Sequence, residues 1–234
     1  MNESSDAVRL NKYLAESQGL SRRQVDEMIA DGRVVVNGKP AVLGVRIIPL
    51  TDMVAIDDRP VDVASPTAFT YLLLNKPIGY VCSRRAQGDT PTIYSLLPEK
   101  YHSLKPVGRL DKDSSGILLL TNDGDFAHQM THPKFAKVKM YHVSLSQPLR
   151  PLHHQMINDH GIQLEDGGSK LTLERMNQGD DKNWLVTMSE GRNRQIRRTF
   201  AALGYNVNSL HRIQFGPYQL NDMQPGKTKL VART

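Results

Sequence analysis

The chain has 234 residues, with hydrophobic residues at 39%, charged residues at 23% and a formal net charge of +6. That is somewhat longer than the usual single domain of about 100–200 residues, with enough apolar material for a packed core and too much for intrinsic disorder. No run approaches the ~18 consecutive apolar residues of a membrane span, MNESSDAVRL has no apolar leader core, and a single cysteine, Cys82, excludes an internal disulfide framework; a soluble, unexported protein of the reducing cytoplasm is expected.

Between residues 8 and 20, Leu10, Tyr13 and Leu14 fall at helical spacing while Arg9 and Lys12 lie off that stripe, which predicts a short amphipathic helix. A second follows in SRRQVDEMIADG: Ser21 and Gln24 make a capping box, Val25, Met28 and Ile29 the buried stripe, and Gly32 the left-handed stop. RVVVNGKPAV runs β-branched residues into Asn37-Gly38, a strong hairpin signal, and MVAIDD reads as a further strand closing the unit. RPVDVASPTAF, with prolines at 60 and 66, reads as a linker. The expected layout is a first domain at 7–58, a linker at 59–68 and a second domain at 69–234.

The second domain offers seven strand segments, FTYLLLNKP, GYVCS, GILLLT, KVKMYHVSL, KLTLERM, NWLVTMS and NVNSLHRIQF. Three segments are helical: DFAHQM, PLHHQMINDH and NRQIRRTFAALG, the last stopped by Gly204. Many strands and few helices predict an α+β fold on a mixed, mainly antiparallel sheet. Charge divides along the same boundary. Residues 1–62 carry 8 Lys and Arg against 10 Asp and Glu, a net of −2, and the remainder 22 against 14, a net of +8. A basic surplus gathered on the larger part suits a polyanionic partner.

The stretch GRLDKDSSGILLLTNDG, residues 108–124, sets two acids and a base directly ahead of an apolar strand. Three readings compete. In the first, LDKDSSG is a solvated loop and Asn122-Asp123-Gly124 an exit turn. In the second, Asp111, Asp113, Ser115 and Gly116 take the first, third, fifth and sixth places of a calcium loop. Leu119 and Asn122 then stand at the ninth and twelfth places, where the bidentate carboxylate is missing, so no metal is expected. In the third, one carboxylate is a reagent at the edge of a buried strand, and it needs a nearby cation to stay ionised. SEGRNRQIRRTF supplies cations: a helix starting near Asn193 turns Ile196, Phe200 and Leu203 to the core and leaves Arg194, Arg197 and Arg198 on another face. Such arginines hold a carboxylate or meet phosphates; alone, they also read as an ordinary solvated face.

GRLDKDSSGILLLTNDG resembles the signature of bacterial ribosomal-RNA pseudouridine synthases, the RsuA/RluB/RluE/RluF group: G-R-L-D, two residues, Ser/Thr/Cys, a variable residue, Gly, an apolar strand and a terminal D-G. LLLNKPIGYVCS (72–83), KMYHVSL (139–145) and SEGRNRQIRRTFAALG (189–204) stand in that family's order around it. LNKYLAESQGLSRRQVDEMIADGRVVVNGK is similar to the S4-like RNA-binding module that precedes the catalytic domain in this group. The resemblance covers nearly the whole chain and implies an enzyme that isomerises a specific uridine to pseudouridine in ribosomal RNA. It implies Asp111 as the catalytic nucleophile, Tyr141 as the active-site tyrosine and Arg197 as the basic partner, with no cofactor. The implied partner is ribosomal RNA or a ribosomal subunit precursor, acted on away from any membrane by a monomer. The target base is flipped from its stack, at a cost of a few kcal/mol.

Each assignment has a plainer counterpart. Tyr141 is also one apolar tooth of its strand, Ile196 plain core, and Arg109 an RNA contact or a salt-bridge partner of Asp113. Lys76 is an RNA contact or a turn lysine, and Arg192, Arg194 and Arg198 are RNA contacts near enough in sequence to exchange roles with Arg197. In the first domain Arg9, Lys12, Arg22, Arg23, Arg33 and Lys39 form an RNA-facing set only if Asp26, Glu27 and Asp31 face away. The rival function is a non-catalytic RNA-binding protein that helps ribosome assembly. An aspartate among arginines, facing an anionic partner, favours the enzyme, and the lack of a nucleotide or metal motif weighs against a small-molecule enzyme.

Overall fold

The computed structural model describes residues 7–49, 51–61, 68–86 and 88–234, and contacts divide the chain into unit 1–68 and unit 69–234. The first unit runs β1 (Val8–Arg9), α1 (Leu10–Ser17), α2 (Arg22–Ala30), β2 (Val34–Val36), β3 (Lys39–Pro40), β4 (Arg46–Ile47), β5 (Val54–Ile56) and β6 (Arg59–Pro60). The capping box forms as its sequence predicts: Gln24 N donates to Ser21 Oγ (3.2 Å) and Ser21 N to Gln24 Oε1 (2.9 Å). Two of the N–H groups that open a helix without partners are thereby satisfied.

Asn37 and Gly38, both at positive φ, turn β2 into β3, and β2 also pairs with β5. A second tight turn at Asp57-Asp58 (φ 50° and 61°) brings the chain back as β6 on β5. Arg59 and Pro60, read from sequence as the start of a linker, are therefore the edge of a four-stranded sheet. Asp-Asp lacks the glycine that advertises such a turn. Residues 62–67 of that linker, like residues 1–6 of the chain, lie outside the described residues. Leu10, Leu14, Val25, Ile29, Val34, Ile47 and Val54 close this unit's core.

The second unit contains β7 (Tyr71–Lys76), β8 (Lys105–Val107), β9 (Ser115–Thr121), α3 (Gly124–Thr131), β10 (Lys139–Leu145), α4 (Pro151–Gln155), β11 (Ile162–Leu164), β12 (Gly167–Ser169), β13 (Thr172–Arg175), β14 (Asn183–Met188), α5 (Gln195–Ala201), β15 (Val207–Phe215), β16 (Tyr218–Gln219) and β17 (Thr228–Leu230). Its main sheet has the order β13-β14-β10-β15-β9-β7-β17, with β8 added along β9 and β16 along β15. The pairings are antiparallel except β9 with β15, where Ser115 and Gly116 lie parallel to His211 and Arg212. Gly116, at φ 108°, admits this seam because a Cβ there would collide with the backbone of Arg212. The chain is α+β, as its pattern of strands and few helices predicts.

Both faces of the central strands are covered. Leu72, Leu74, Leu118 and Leu120 join Trp184 and Phe200 in one core, while Tyr71, Leu73, Ile117 and Leu119 join Phe126 and Phe215 in another. Strands buried on both sides read as continuous apolar runs, which is why LLL and ILLL do not alternate. Of the segments read as strands, GYVCS is not one: only Val81 forms a bridge, to Thr92. PLHHQMINDH starts as α4 and continues as a π-helical turn over Met156–His160. Asp123, read as part of an exit turn, is the N-cap of α3 and accepts from Phe126 N at 2.9 Å. Among the described residues no helix is long and apolar enough to cross a membrane.

Candidate active site

The loop from β8 to β9 carries Asp111, and its backbone is fixed from beneath. Lys76, at the end of β7, is fully buried and donates from Nζ to the carbonyls of Pro77 (3.0 Å), Asp111 (3.0 Å) and Ser114 (2.7 Å). Burial lowers the pKa of this ammonium, against the pull of Cys82, Asp111 and Asp113, which raise it. Cys82 Sγ adds weaker bonds to Leu110, donating to its O (3.3 Å) and accepting from its N (3.4 Å). Lys76 is thus an internal clamp and, being fully buried, is not placed as the surface RNA contact expected from sequence; its three N–H groups exchange water for carbonyls.

Arg194 precedes α5 in the left-handed conformation (φ 47°). Its Nη1 stands 3.4 Å from Asp111 Oδ2, and Nη1 and Nη2 donate to Asp113 Oδ1 and Oδ2 at 3.1 and 3.0 Å. Arg197, expected to partner Asp111, instead sits with Nε 3.3 Å from Asp113 Oδ2 and donates to the carbonyls of Asp113 (2.8 Å) and Val207 (2.7 Å). The guanidinium beside Asp111 is therefore that of Arg194. Helical phase explains the exchange: Arg194 lies ahead of the first turn, over the loop, whereas Arg197 is carried toward β15. The bond from Arg194, helped by the charge of Arg197, holds the Asp113 carboxyl below the usual carboxylate range.

The other two arginines are held by the β11–β12 hairpin, Arg192 while also lining the cavity that contains Asp111 and Arg198 outside it. Arg192 donates to Asp166 Oδ1 (2.8 Å) and to the carbonyls of Asp166 (2.8 Å), Gly167 (3.1 Å) and Gly168 (2.8 Å). Arg198 takes both carboxylate oxygens of Asp166 at 2.9 and 2.7 Å. Asp166 lies at the tip of the β11–β12 hairpin, so Arg192 and Arg198, expected at RNA or at Asp111, staple that hairpin to α5. Arg109 is exposed and makes no hydrogen bond or ion pair with a described residue; the bridge to Asp113 is not formed, because Arg194 holds both of that carboxylate's oxygens.

Asp111, Arg109, Arg194, Tyr141 and Ile196 line one cavity of about 470 Å³, an ordinary size for a small-ligand pocket. Asp111 is one-third exposed there (33%), and Tyr141 projects from β10 with 7% of its surface open. Ile196 is both lining and core. Two further lining residues, Lys139 and Arg212, are absent from the sequence reading. Arg212, 3% exposed, lies opposite Tyr141 across the β10–β15 pairing, donates Nε and Nη2 to Ile117 O (2.9 and 2.7 Å), and covers the Phe215 ring. Lys139 Nζ donates to Glu190 O (3.1 Å) and Lys137 O (3.4 Å); burial and the charge of Arg212, against Glu190, lower its pKa to about 8. A signal was present, since Lys139 stands two residues before Tyr141 and shares its face of the strand. Among the described residues no cluster of His, Cys, Asp and Glu is placed to hold a metal.

In the first unit Arg9, Arg22, Arg23 and Lys39 are exposed and Lys12 is half-buried. Arg33 is also exposed and is paired with the β5–β6 turn, its Nε donating to Asp57 Oδ1 at 2.8 Å. Asp26 turns toward α1 and accepts from Asn11 Nδ2 at 2.9 Å.

Comparison with known proteins matches residues 70–202 to the RNA pseudouridylate synthase family and residues 8–44 to the S4 domain. A ribosomal small subunit pseudouridine synthase A of Pasteurella multocida is 39% identical over 92% of this chain and 91% of its own length. A ribosomal large subunit pseudouridine synthase B of Bacillus subtilis is 33% identical over 94% and 91%, and an uncharacterized RNA pseudouridine synthase of Aquifex aeolicus 37% over 94% and 88%. A crystal structure of a pseudouridylate synthase superposes with a TM-score of 0.68 at 33% identity, covering 96% of each chain.

Proposed function

Because this chain belongs to the RNA pseudouridylate synthase family, an isomerase fold preceded by an S4 domain, we propose that it converts a specific uridine of ribosomal RNA to pseudouridine. Relatives named for the small and for the large ribosomal subunit support ribosomal RNA as the substrate class. In this isomerisation the bond from C1′ to N1 breaks, the base turns, and a bond from C1′ to C5 forms. The C5 hydrogen leaves as a proton and N1 gains one, so no electrons are exchanged with a cofactor.

Asp111 acts as the nucleophile on a nucleotide extruded into the cavity. The observation that carries this role is its placement: an accessible carboxylate at a cavity wall, its backbone clamped by Lys76 and a guanidinium 3.4 Å away. Arg194 offsets the negative charge of Asp111 against the approaching polyanion. Tyr141 presents its ring to the base and its phenol to the C5 proton. Arg197 acts through Asp113, and unpaired Arg109 meets the RNA backbone. The first unit, with a net charge of −2 over residues 1–62, orients RNA through Arg9, Lys12, Arg22, Arg23 and Lys39 more than it adds affinity. The protein acts as a monomer in the cytoplasm.

The test uses unmodified ribosomal RNA carrying tritium at C5 of uracil. The native chain releases the label, and Asp111→Asn binds the same RNA without release. Binding by the native chain with no release from either subunit's RNA would overturn the proposal in favour of a non-catalytic assembly factor.

A further inference from the structure

Lys139 and Arg212 flank Tyr141 on the cavity wall, one two residues along β10 and the other across the pairing on β15. Neither forms an ion pair with a described carboxylate. Glu190 gives Lys139 only its backbone carbonyl, its carboxylate accepting instead from Gln195 and Arg192. Arg212 uses Nε and Nη2 on a single carbonyl and, among the described residues, Nη1 has no hydrogen-bond acceptor; Lys139 has two carbonyl acceptors there for three N–H groups. Arg212 is almost wholly buried and Lys139 partly so, with Glu190 a counter-charge beyond ion-pair distance, and cations withdrawn from water in this way gain most when an anion arrives.

We propose that Lys139 and Arg212 form a seat for a phosphodiester of the extruded nucleotide. The inference rests on reading this cavity as the pseudouridylation site. The anion has to come with the substrate, and in RNA the only anionic group is the phosphodiester. Swinging a nucleotide out about its backbone carries its own linkages toward the wall that receives the base. Arginine offers a fork and lysine a point charge, a combination suited to oxygens of a single phosphate. The seat also separates labour in the cavity: Arg194 serves the Asp111 side, while Lys139 and Arg212 serve the substrate side.

Uridine and uridine 3′,5′-bisphosphate, titrated into the full-length chain, test this directly. Charge-assisted bonds to a phosphate are the strong kind, so the native chain binds the bisphosphate at least about tenfold more tightly than uridine. Lys139→Met loses that preference, and Lys139→Arg keeps most of it. Unchanged preference in Lys139→Met overturns the seat; equal weakening of both compounds assigns Lys139 to the base and overturns it as well. Thermal unfolding checks the fold, and Lys139→Gln replaces the methionine variant if that chain does not fold. A native chain that releases tritium from ribosomal RNA but does not distinguish the two compounds refutes the seat alone. Failure of release refutes the assignment of the cavity.

Discussion

Replacing Lys76 by methionine keeps the length of the side chain and removes its three N–H donors. The carbonyls of Pro77, Asp111 and Ser114 are then left in a dry interior. Bonds to a charged donor contribute about 1.5–3 kcal/mol each, so three of them set the gross loss at about 4.5–9 kcal/mol. Removing a buried ammonium offsets part of this, because its desolvation costs several kcal/mol; the lowered pKa of Lys76 has that cause. The expected net is a destabilisation of about 2–4 kcal/mol, read from urea unfolding at constant slope. Loss of the anchors also lets the Asp111 loop drift, and turnover in tritium release falls on the order of 10²-fold, since small misplacements of a reacting group cost that much. RNA affinity stays close to native, because the side chain does not reach the surface. Stability within about 0.5 kcal/mol of native, or weakened RNA binding with normal turnover, would show that Lys76 is not the clamp described.

Arg194→Met lowers the kcat of tritium release by about 10²–10³-fold, whereas Arg198→Met, whose guanidinium faces Asp166, changes it less than about threefold. Asp123→Ala removes a 3% exposed carboxylate that accepts from Phe126 N, Tyr71 Oη and Arg233 Nη1, and costs about 2–4 kcal/mol in denaturant unfolding. The depressed pKa of Asp113 means that its stabilisation is complete above the unfolded value of about 3.9 and is lost as pH falls through the lower folded value. Because Asp113 is half-exposed, that contribution stays below about 1 kcal/mol, and parallel acid-unfolding curves for native and Asp113→Asn would contradict it. Lys139 faces Arg212 and Glu190 and titrates near about 8, below its unfolded value of about 10.4. The folded state therefore holds fewer protons between those values, and native stability rises relative to Lys139→Met as pH climbs from about 8 to 10.4; near neutral pH the methionine variant melts no lower than the native chain.

Much of the fold is legible where one physical signal dominates. The Ser21–Gln24 cap, the Asn37-Gly38 turn and the apolar runs of β7 and β9 each state their structure locally. What escapes depends on distant partners. β8 contains Pro106, β12 is Gly-Gly-Ser, and β16 and β17 are two and three residues long, so none has a periodicity to read. Their strand character comes from the neighbour they pair with. GYVCS shows the converse, a β-prone composition without a partner along its length. At the site, Asp111 and Tyr141 are marked by their motifs, while the choice among the arginines is not. Arg194 is a left-handed residue just ahead of the helix and Arg197 lies within its first turn, and that backbone detail decides which one reaches Asp111. Lys76 and Arg212 look like surface cations in sequence; carbonyls supplied by other strands and loops allow them to be buried.

The parallel seam between β9 and β15 couples positions 95 residues apart, as the bond from Arg212 to Ile117 shows. During synthesis the acidic loop leaves the translating ribosome well before the arginines that neutralise it and before the strand that completes its sheet. At about 5–20 residues per second, that interval lasts roughly 5–20 seconds. A partly made chain therefore carries Asp111 without the guanidinium beside it, and the cavity that both line takes shape only once α5 and β15 have been made.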